Sequence, residues 1–139
     1  MHTITVQDAN ACTTSCAVTL AAPSQPTCTI TNSVNPLCNG DANGSLTAAG
    51  SDGSGNYEYS IDGTAFQSTD TFMGLSAGEQ IVTVRSMDFP TCTNTCSITL
   101  TEPAILACTI MGTDLTSCVT DDGSLVVTAT GGTASYLYS

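Results

Sequence analysis

Cys28 to Ala107 opens as CTITNSVNPLCNGDANGSL, passes through NYEYSIDG (56–63) and FMGLSAGEQIVTV (72–84), and runs out through CTNTCSITLTEPA (92–104). Strand signals fall at Cys28–Asn32, Ser45–Ala49, Tyr57–Ile61, Thr71–Gly74, Gln80–Arg85 and Cys96–Thr101, where apolar and polar residues alternate. Turn clusters separate them: Asn39-Gly-Asp, the glycine-rich run from Ala49 to Gly55, Asp62-Gly63 and Ser76-Ala-Gly78. Short strands at this spacing, with no helical period, predict an all-β chain built as an antiparallel β-sandwich. The inward parity selects Leu46, Ala48, Tyr57, Tyr59, Ile61, Phe72, Leu75, Val82, Val84, Ile98 and Leu100.

Outward from this stretch the chain repeats itself. Cys12, Cys16, Leu20, Pro23, Cys28 and Cys38 recur eighty positions later as Cys92, Cys96, Leu100, Pro103, Cys108 and Cys118. GSLTAAG at Gly44–Gly50 returns as GSLVVTATG at Gly123–Gly131, and NYEYS (56–60) returns as SYLYS (135–139). Such self-similarity predicts a tandem array of repeats of about eighty residues. Residues 1–27 are then the C-terminal part of one repeat, 28–107 a complete repeat, and 108–139 the N-terminal part of the next. In the first part, His2 to Asp8 and Ala17 to Leu20 read as strands of a hairpin around the turn-like Asp8–Cys12. Ala22-Pro-Ser-Gln-Pro26 reads as a stiff connector. Residues 108–139 restart the first three strands and stop within the third.

Twelve acidic residues against the single base Arg85 give a net charge of −11. Nucleic acid is excluded as a partner, because phosphate binding needs lysine and arginine. The charge also disfavours anionic membranes and makes divalent cations suitable companions. No apolar run approaches a membrane span of about twenty residues. No signal peptide is visible in the segment, so an export signal would lie outside it.

Eight cysteines in two sets of four suit an oxidising, extracellular compartment, and an eighty-residue domain gains from such cross-links. Zinc is disfavoured: His2 is the sole histidine, and no second close cysteine pair stands beside Cys92-x-x-x-Cys96. Four cysteines per copy allow three connectivities. The preferred one pairs Cys38 with Cys92 and Cys28 with Cys96, closing loops of 55 and 69 residues. The rival is local, Cys28 with Cys38 and Cys92 with Cys96. Under the preferred scheme Cys12, Cys16, Cys108 and Cys118 need partners in adjacent repeats or chains. That holds whether the segment belongs to a longer polypeptide or each part-repeat is completed by a neighbouring chain.

Asp41, Asn43 and Ser45, and likewise Asp121 and Asp122, set oxygen-bearing side chains around a glycine turn, a pattern that can take calcium. The same residues also make an ordinary Asx-Gly turn. Asn43-Gly-Ser45 is the single Asn-x-Ser/Thr sequon and so the candidate N-glycosylation site. Twenty-five threonines and fifteen serines could carry O-linked sugars, or simply serve as good strand residues. Lysine is absent and no Ser-His-Asp, Cys-His or HExxH set can be drawn, so no enzyme is expected.

Cys38-Asn-Gly-Asp-Ala-Asn-Gly-Ser-Leu46, Tyr57-Glu-Tyr-Ser-Ile-Asp-Gly63, Phe72-Met-Gly-Leu-Ser-Ala-Gly78, Val82-Thr-Val84 and Thr101-Glu-Pro103 together resemble the SprB repeat. The chain departs from that family's pattern in two places. Gln80 and His2 stand where a tyrosine is usual, and Val84-Arg85-Ser86 replaces the Val-x-Asp kept at Val6-Gln7-Asp8. The Cys28 and Cys96 pair also exceeds the family's usual two cysteines. The resemblance implies Ig-like domains in very large secreted surface proteins of Bacteroidetes, including gliding-motility adhesins. On that basis the expected function is a stiff, disulfide-stabilised shaft segment of an extracellular filament or giant adhesin, its partners being copies of itself or adjacent repeats. The alternative is a ligand-binding module for surface glycans. The absence of tryptophan, and the core parity of Tyr57, Tyr59, Tyr136 and Tyr138, favour the shaft.

Overall fold

A computed structural model describes residues 1–119 and 121–139. Ten strands and no helix appear among them: β1 His2–Gln7, β2 Thr13–Val18, β3 Thr27–Val34, β4 Gly44–Ser51, β5 Tyr57–Ser60, β6 Thr71–Leu75, β7 Gly78–Ser86, β8 Thr93–Leu100, β9 Ala107–Thr113 and β10 Ser124–Thr130. Every pairing is antiparallel. The six strands predicted between residues 28 and 101 all form, each within a few residues of its expected bounds.

Those six strands make two sheets of three, ordered β3-β4-β6 and β5-β7-β8. Alternation decides what meets between them. On β4 the residues Gly44, Leu46 and Ala48 are buried, and on β7 Val82, Val84 and Ser86, while their sequence neighbours are only partly covered. The shared core therefore takes Leu46, Ala48 and Phe72 from one sheet and Tyr59, Val82 and Val84 from the other. Tyr57, Ile61, Leu75 and Ile98 pack at its margin, joined by Ile30, Cys28 and Cys96. Leu100 is buried as well. Burial of a handful of aliphatic side chains, each contributing about 1.5–3 kcal/mol, is a small core for this length of chain.

Some buried positions were not legible in the inward pattern. Pro26, read as connector, is fully buried at the start of β3. Ser60 and Ser86 are fully buried and satisfied: the Ser60 hydroxyl donates to Asp62, and Ser86 Oγ accepts from the Phe89 N–H and lies 2.8 Å from Ser54 Oγ. A buried hydroxyl is tolerated when it is hydrogen-bonded in this way.

The ends of the chain form two isolated hairpins, β1–β2 and β9–β10. In β1–β2 Ile4 faces Cys16 and Val6 faces Thr14, as in β7–β8 Val82 faces Cys96 and Val84 faces Asn94. In β9–β10 Cys108 faces Ala129 and Ile110 faces Val127, as in β3–β4 Cys28 faces Gly50 and Ile30 faces Ala48. β1–β2 thus repeats the register of β7–β8, and β9–β10 repeats that of β3–β4 up to Ile30, where β3 has a register shift that β9 lacks; neither repeats the burial. Val82 and Val84 are wholly buried, while Ile4 and Val6 are 63% and 57% exposed; Leu46 is buried, while its counterpart Leu125 is exposed.

Two local expectations need correction. The second strand of the first hairpin runs Thr13–Val18 rather than Ala17–Leu20, because the turn is tighter: Asp8 Oδ1 accepts from the N–H groups of Asn10 and Cys12, so pairing resumes at once. Residues 136–139 do not form a third strand in the last segment. Their counterpart β5 owes its ladder to β7, and 136–139 have no such partner among the described residues.

Candidate functional site

Cys28 on β3 and Cys96 on β8 are joined by a disulfide with a Cα separation of 5.4 Å, inside the range an undistorted bridge requires. It stitches the edge of one sheet to the edge of the other, closing a loop whose ends are 68 positions apart. This is the pairing preferred from sequence, and it rules out the local scheme for these two residues.

Its expected companion is absent. Cys38 and Cys92 are free thiols, Cys38 exposed and Cys92 partly covered. The reason is topological. β3 and β8 start side by side, where Asn94 Nδ2 donates to the Pro26 carbonyl, and end side by side, where Asn35 donates to Thr101 Oγ1 and accepts from the Thr101 N–H. Cys92 immediately precedes the start of β8, whereas Cys38 lies in the loop beyond the end of β3. The eight residues of β8 separate them, roughly 27 Å of strand. A bridge needs Cα atoms within about 7 Å. Cys12, Cys16, Cys108 and Cys118 are also free and exposed.

The Cys38 pole is built from a clamped loop. Asn43 Oδ1 accepts from the Leu37 N–H at 2.9 Å, and Asn43 Nδ2 donates to Asp41 at 3.0 Å. The outgoing chain is tied to the same loop. Glu102 accepts from Asn39 Nδ2 and from the Gly40 N–H, both at 2.8 Å, and Asn39 Nδ2 also donates to the Pro103 carbonyl at 3.2 Å. Glu102 is thus the residue that fixes how the chain leaves this pole, a role its place beside a proline did not reveal.

Of the calcium candidates, Asp41 and Asn43 come together, while Ser45 lies on β4 opposite Met73. Asp122 repeats the structural role of Asn43, accepting from the Thr116 N–H at 2.9 Å and from the Thr116 hydroxyl. These oxygens therefore close their own loops, and no group of three histidine, cysteine or acidic side chains able to hold a metal occurs among the described residues. Asn43, the sequon residue, is exposed, with both ends of its amide in the loop clamp.

Of the four tyrosines expected on core parity, Tyr59 is buried, Tyr57 and Tyr136 are half-buried, and Tyr138 is 60% exposed, because no second sheet covers it among the described residues. Tyr59 is buried with its hydroxyl accepting from the Gly50 N–H, and the Tyr57 hydroxyl donates to the Asp52 carbonyl. Tyr136 repeats this last bond with the Gly131 carbonyl. Arg85, the sole base, pairs with Glu58 at 2.7 Å across β5–β7 and lies 3.8 Å over the Phe66 ring. Asp62 organises its turn, accepting from the N–H groups of Thr64 and Ala65 and from Ser60; these hydrogen bonds hold its carboxyl well below the usual range.

A cavity of about 800 Å³ lies where the Cys38 pole meets the last segment, lined among others by Cys38, Cys108, Val127, Tyr136 and Tyr138. Val127 and the two tyrosines are counterparts of Ala48, Tyr57 and Tyr59, which in the central stretch close on Val82 and Val84.

Residues 30–66 and 116–139 match the family model of the SprB repeat. Both matches run through the pole loop after the first strand and reach the tyrosine pair, and SprB is a structural repeat of cell-surface proteins. No curated protein matches the chain. No solved structure matches it.

Proposed function

We propose that the chain, with its two SprB repeat matches, is a segment of tandem Ig-like β-sandwich repeats forming the stiff shaft of an extracellular surface filament or giant adhesin. The observation that carries this reading is the register of the terminal hairpins. β1–β2 reproduces the pairing of β7–β8, and β9–β10 that of β3–β4 from Cys28 to Ile30, yet both leave exposed the apolar positions that the central copy buries. Each hairpin supplies two of the six strands of such a sandwich, β1–β2 the counterpart of β7–β8 in one sheet and β9–β10 the counterpart of β3–β4 in the other. Adjacent repeats, on the same polypeptide or on a second copy, complete them, with Cys16-type and Cys108-type cysteines forming the counterpart of the Cys28–Cys96 staple. An acidic surface keeps such an array soluble.

Tyr57, Tyr59 and Tyr136, whose hydroxyls bond backbone groups, support a shaft rather than a glycan-binding module, which would present aromatic platforms to solvent. Short proline-containing linkers, anchored at both poles, suit an extended and stiff string. Electron micrographs of the native surface material test the reading: thin, unbranched filaments one domain wide are expected, and globular particles without axial order would refute it.

A further inference from the structure

We propose that Cys38 and Cys92 staple the array lengthwise, Cys38 of one repeat forming a disulfide with the Cys92-type cysteine of the repeat that follows. This rests on the tandem reading above and names the contact between successive repeats.

Three observations converge. First, the two thiols left over from the Cys28–Cys96 bridge lie at opposite poles of the same domain, so neither can serve the other. Second, each pole is the place where a linker is tied down. The Cys38 loop holds the outgoing chain through Asn39, Gly40, Glu102 and Pro103. The start of β8, next to Cys92, holds the incoming chain: Gln25 Nε2 donates to the Thr93 carbonyl at 2.6 Å, and Asn94 Nδ2 to the Pro26 carbonyl at 3.1 Å. By the eighty-residue offset, Gln25 and Pro26 correspond to Ile105 and Leu106. Isoleucine has no side-chain donor to repeat the Gln25 bond, so the anchor that carries over is the backbone carbonyl of Leu106, three positions past Pro103 and at most about 11 Å of chain from it. The Cys38 pole of one repeat and the Cys92 pole of the next are held face to face. Cys38 already shares a cavity with Cys108, the first cysteine of the following segment. Third, the arrangement recurs. Cys118 occupies the loop after β9 as Cys38 does after β3, and Cys12 precedes β2 as Cys92 precedes β8, all four as free thiols.

Chemically, each staple joins two thiol sulfurs with loss of two protons and two electrons. The acceptor is a disulfide carrier of the kind that would form Cys28–Cys96, its own disulfide being reduced to two thiols. The result is a covalent path that bypasses every linker, so pulling on the array loads disulfides as well as backbone.

Disulfide mapping of the surface polypeptide, isolated without reductant and blocked with N-ethylmaleimide, tests the proposal. Trypsin has a single site, Arg85, so chymotrypsin, which cuts after Leu37, is the protease to use. The expected product is a Cys38 peptide cross-linked to a Cys92-type peptide of the neighbouring repeat, with no maleimide on either. Reduction that leaves the polypeptide mass unchanged places that neighbour on the same chain; reduction that breaks it into shorter pieces places it on a second copy. Cys38→Ser is expected to raise labelling at the Cys92-type position from none to one maleimide per repeat, with Cys28–Cys96 intact. Maleimide on both thiols in material that still forms ordered filaments would overturn the staple and leave the array standing. Loss of the filaments themselves would overturn the array reading.

Discussion

Asp62 shows how one carboxylate fixes a turn and ties it to pH. Three donors converge on Oδ1, the N–H groups of Thr64 and Ala65 and the Ser60 hydroxyl, at 2.7–2.8 Å. They favour the charged form, so the folded chain holds this acid below its unfolded value of about 3.9. The unfolded chain then binds the proton more readily, and the stabilisation, fully present above that value, is lost as pH falls through it towards the folded pKa. Asp62→Asn keeps an acceptor oxygen and removes the titration. Its denaturation midpoint is expected to fall less steeply than wild type between pH 5 and pH 2, measured by chemical unfolding; identical slopes would contradict the assignment.

Gly50 is constrained by its neighbour instead. A Cβ there would lie 2.8 Å from Tyr57 Cγ, and that ring is held by its hydroxyl bond to the Asp52 carbonyl. Gly50→Ala should cost about 1–3 kcal/mol of overpacking, read as a lowered unfolding midpoint. Nothing in the residue type of Gly50 announced this, since GSLTAAG reads as strand followed by turn, whereas the contact belongs to a ring seven positions away.

At the scale of elements, alternation made the six central strands and most of the core legible, because a strand with one buried face leaves a period-two trace. Ser86 escaped because a hydroxyl on the inward parity carries no hydrophobic signal, and Ser60 because it lies on the opposite parity to Tyr59; the burial of each depends on partners in neighbouring turns. The disulfides divided in the same way. Cys28 and Cys96 lie on strands whose edges meet, and pairing them followed from strand order. Cys38 and Cys92 lie in loops, and spacing alone does not say at which end of the strands a loop falls. The Cys28–Cys96 bridge is expected to be the main covalent stabiliser of the fold. Replacing both by serine should remove about 4 kcal/mol on the chain-entropy account of a loop this long, measured by denaturant titration. A loss under about 1 kcal/mol would mean that β3 and β8 are held by packing alone.

For the whole molecule, the terminal hairpins bear on function most directly. A two-stranded ribbon with an exposed apolar face is marginal by itself. β1–β2 pairs in the register of β7–β8 and β9–β10 follows β3–β4 as far as Ile30, and the linkers beside them are anchored rather than loose. The repeat offset that predicts the array was legible in the sequence; the anchoring by Glu102 and Gln25 was not, since it depends on loops far apart in the chain meeting at a pole. The proposed array is a single-file string of such domains. From β8 to the linker, one repeat advances by about eight strand residues and at most six connecting ones, roughly 40–47 Å. Measuring the axial rise of the native filament by helical electron-microscope reconstruction tests this directly. A rise in that range per eighty residues is expected; one shorter than about 27 Å, the length of β8 itself, would rule out a single-file string.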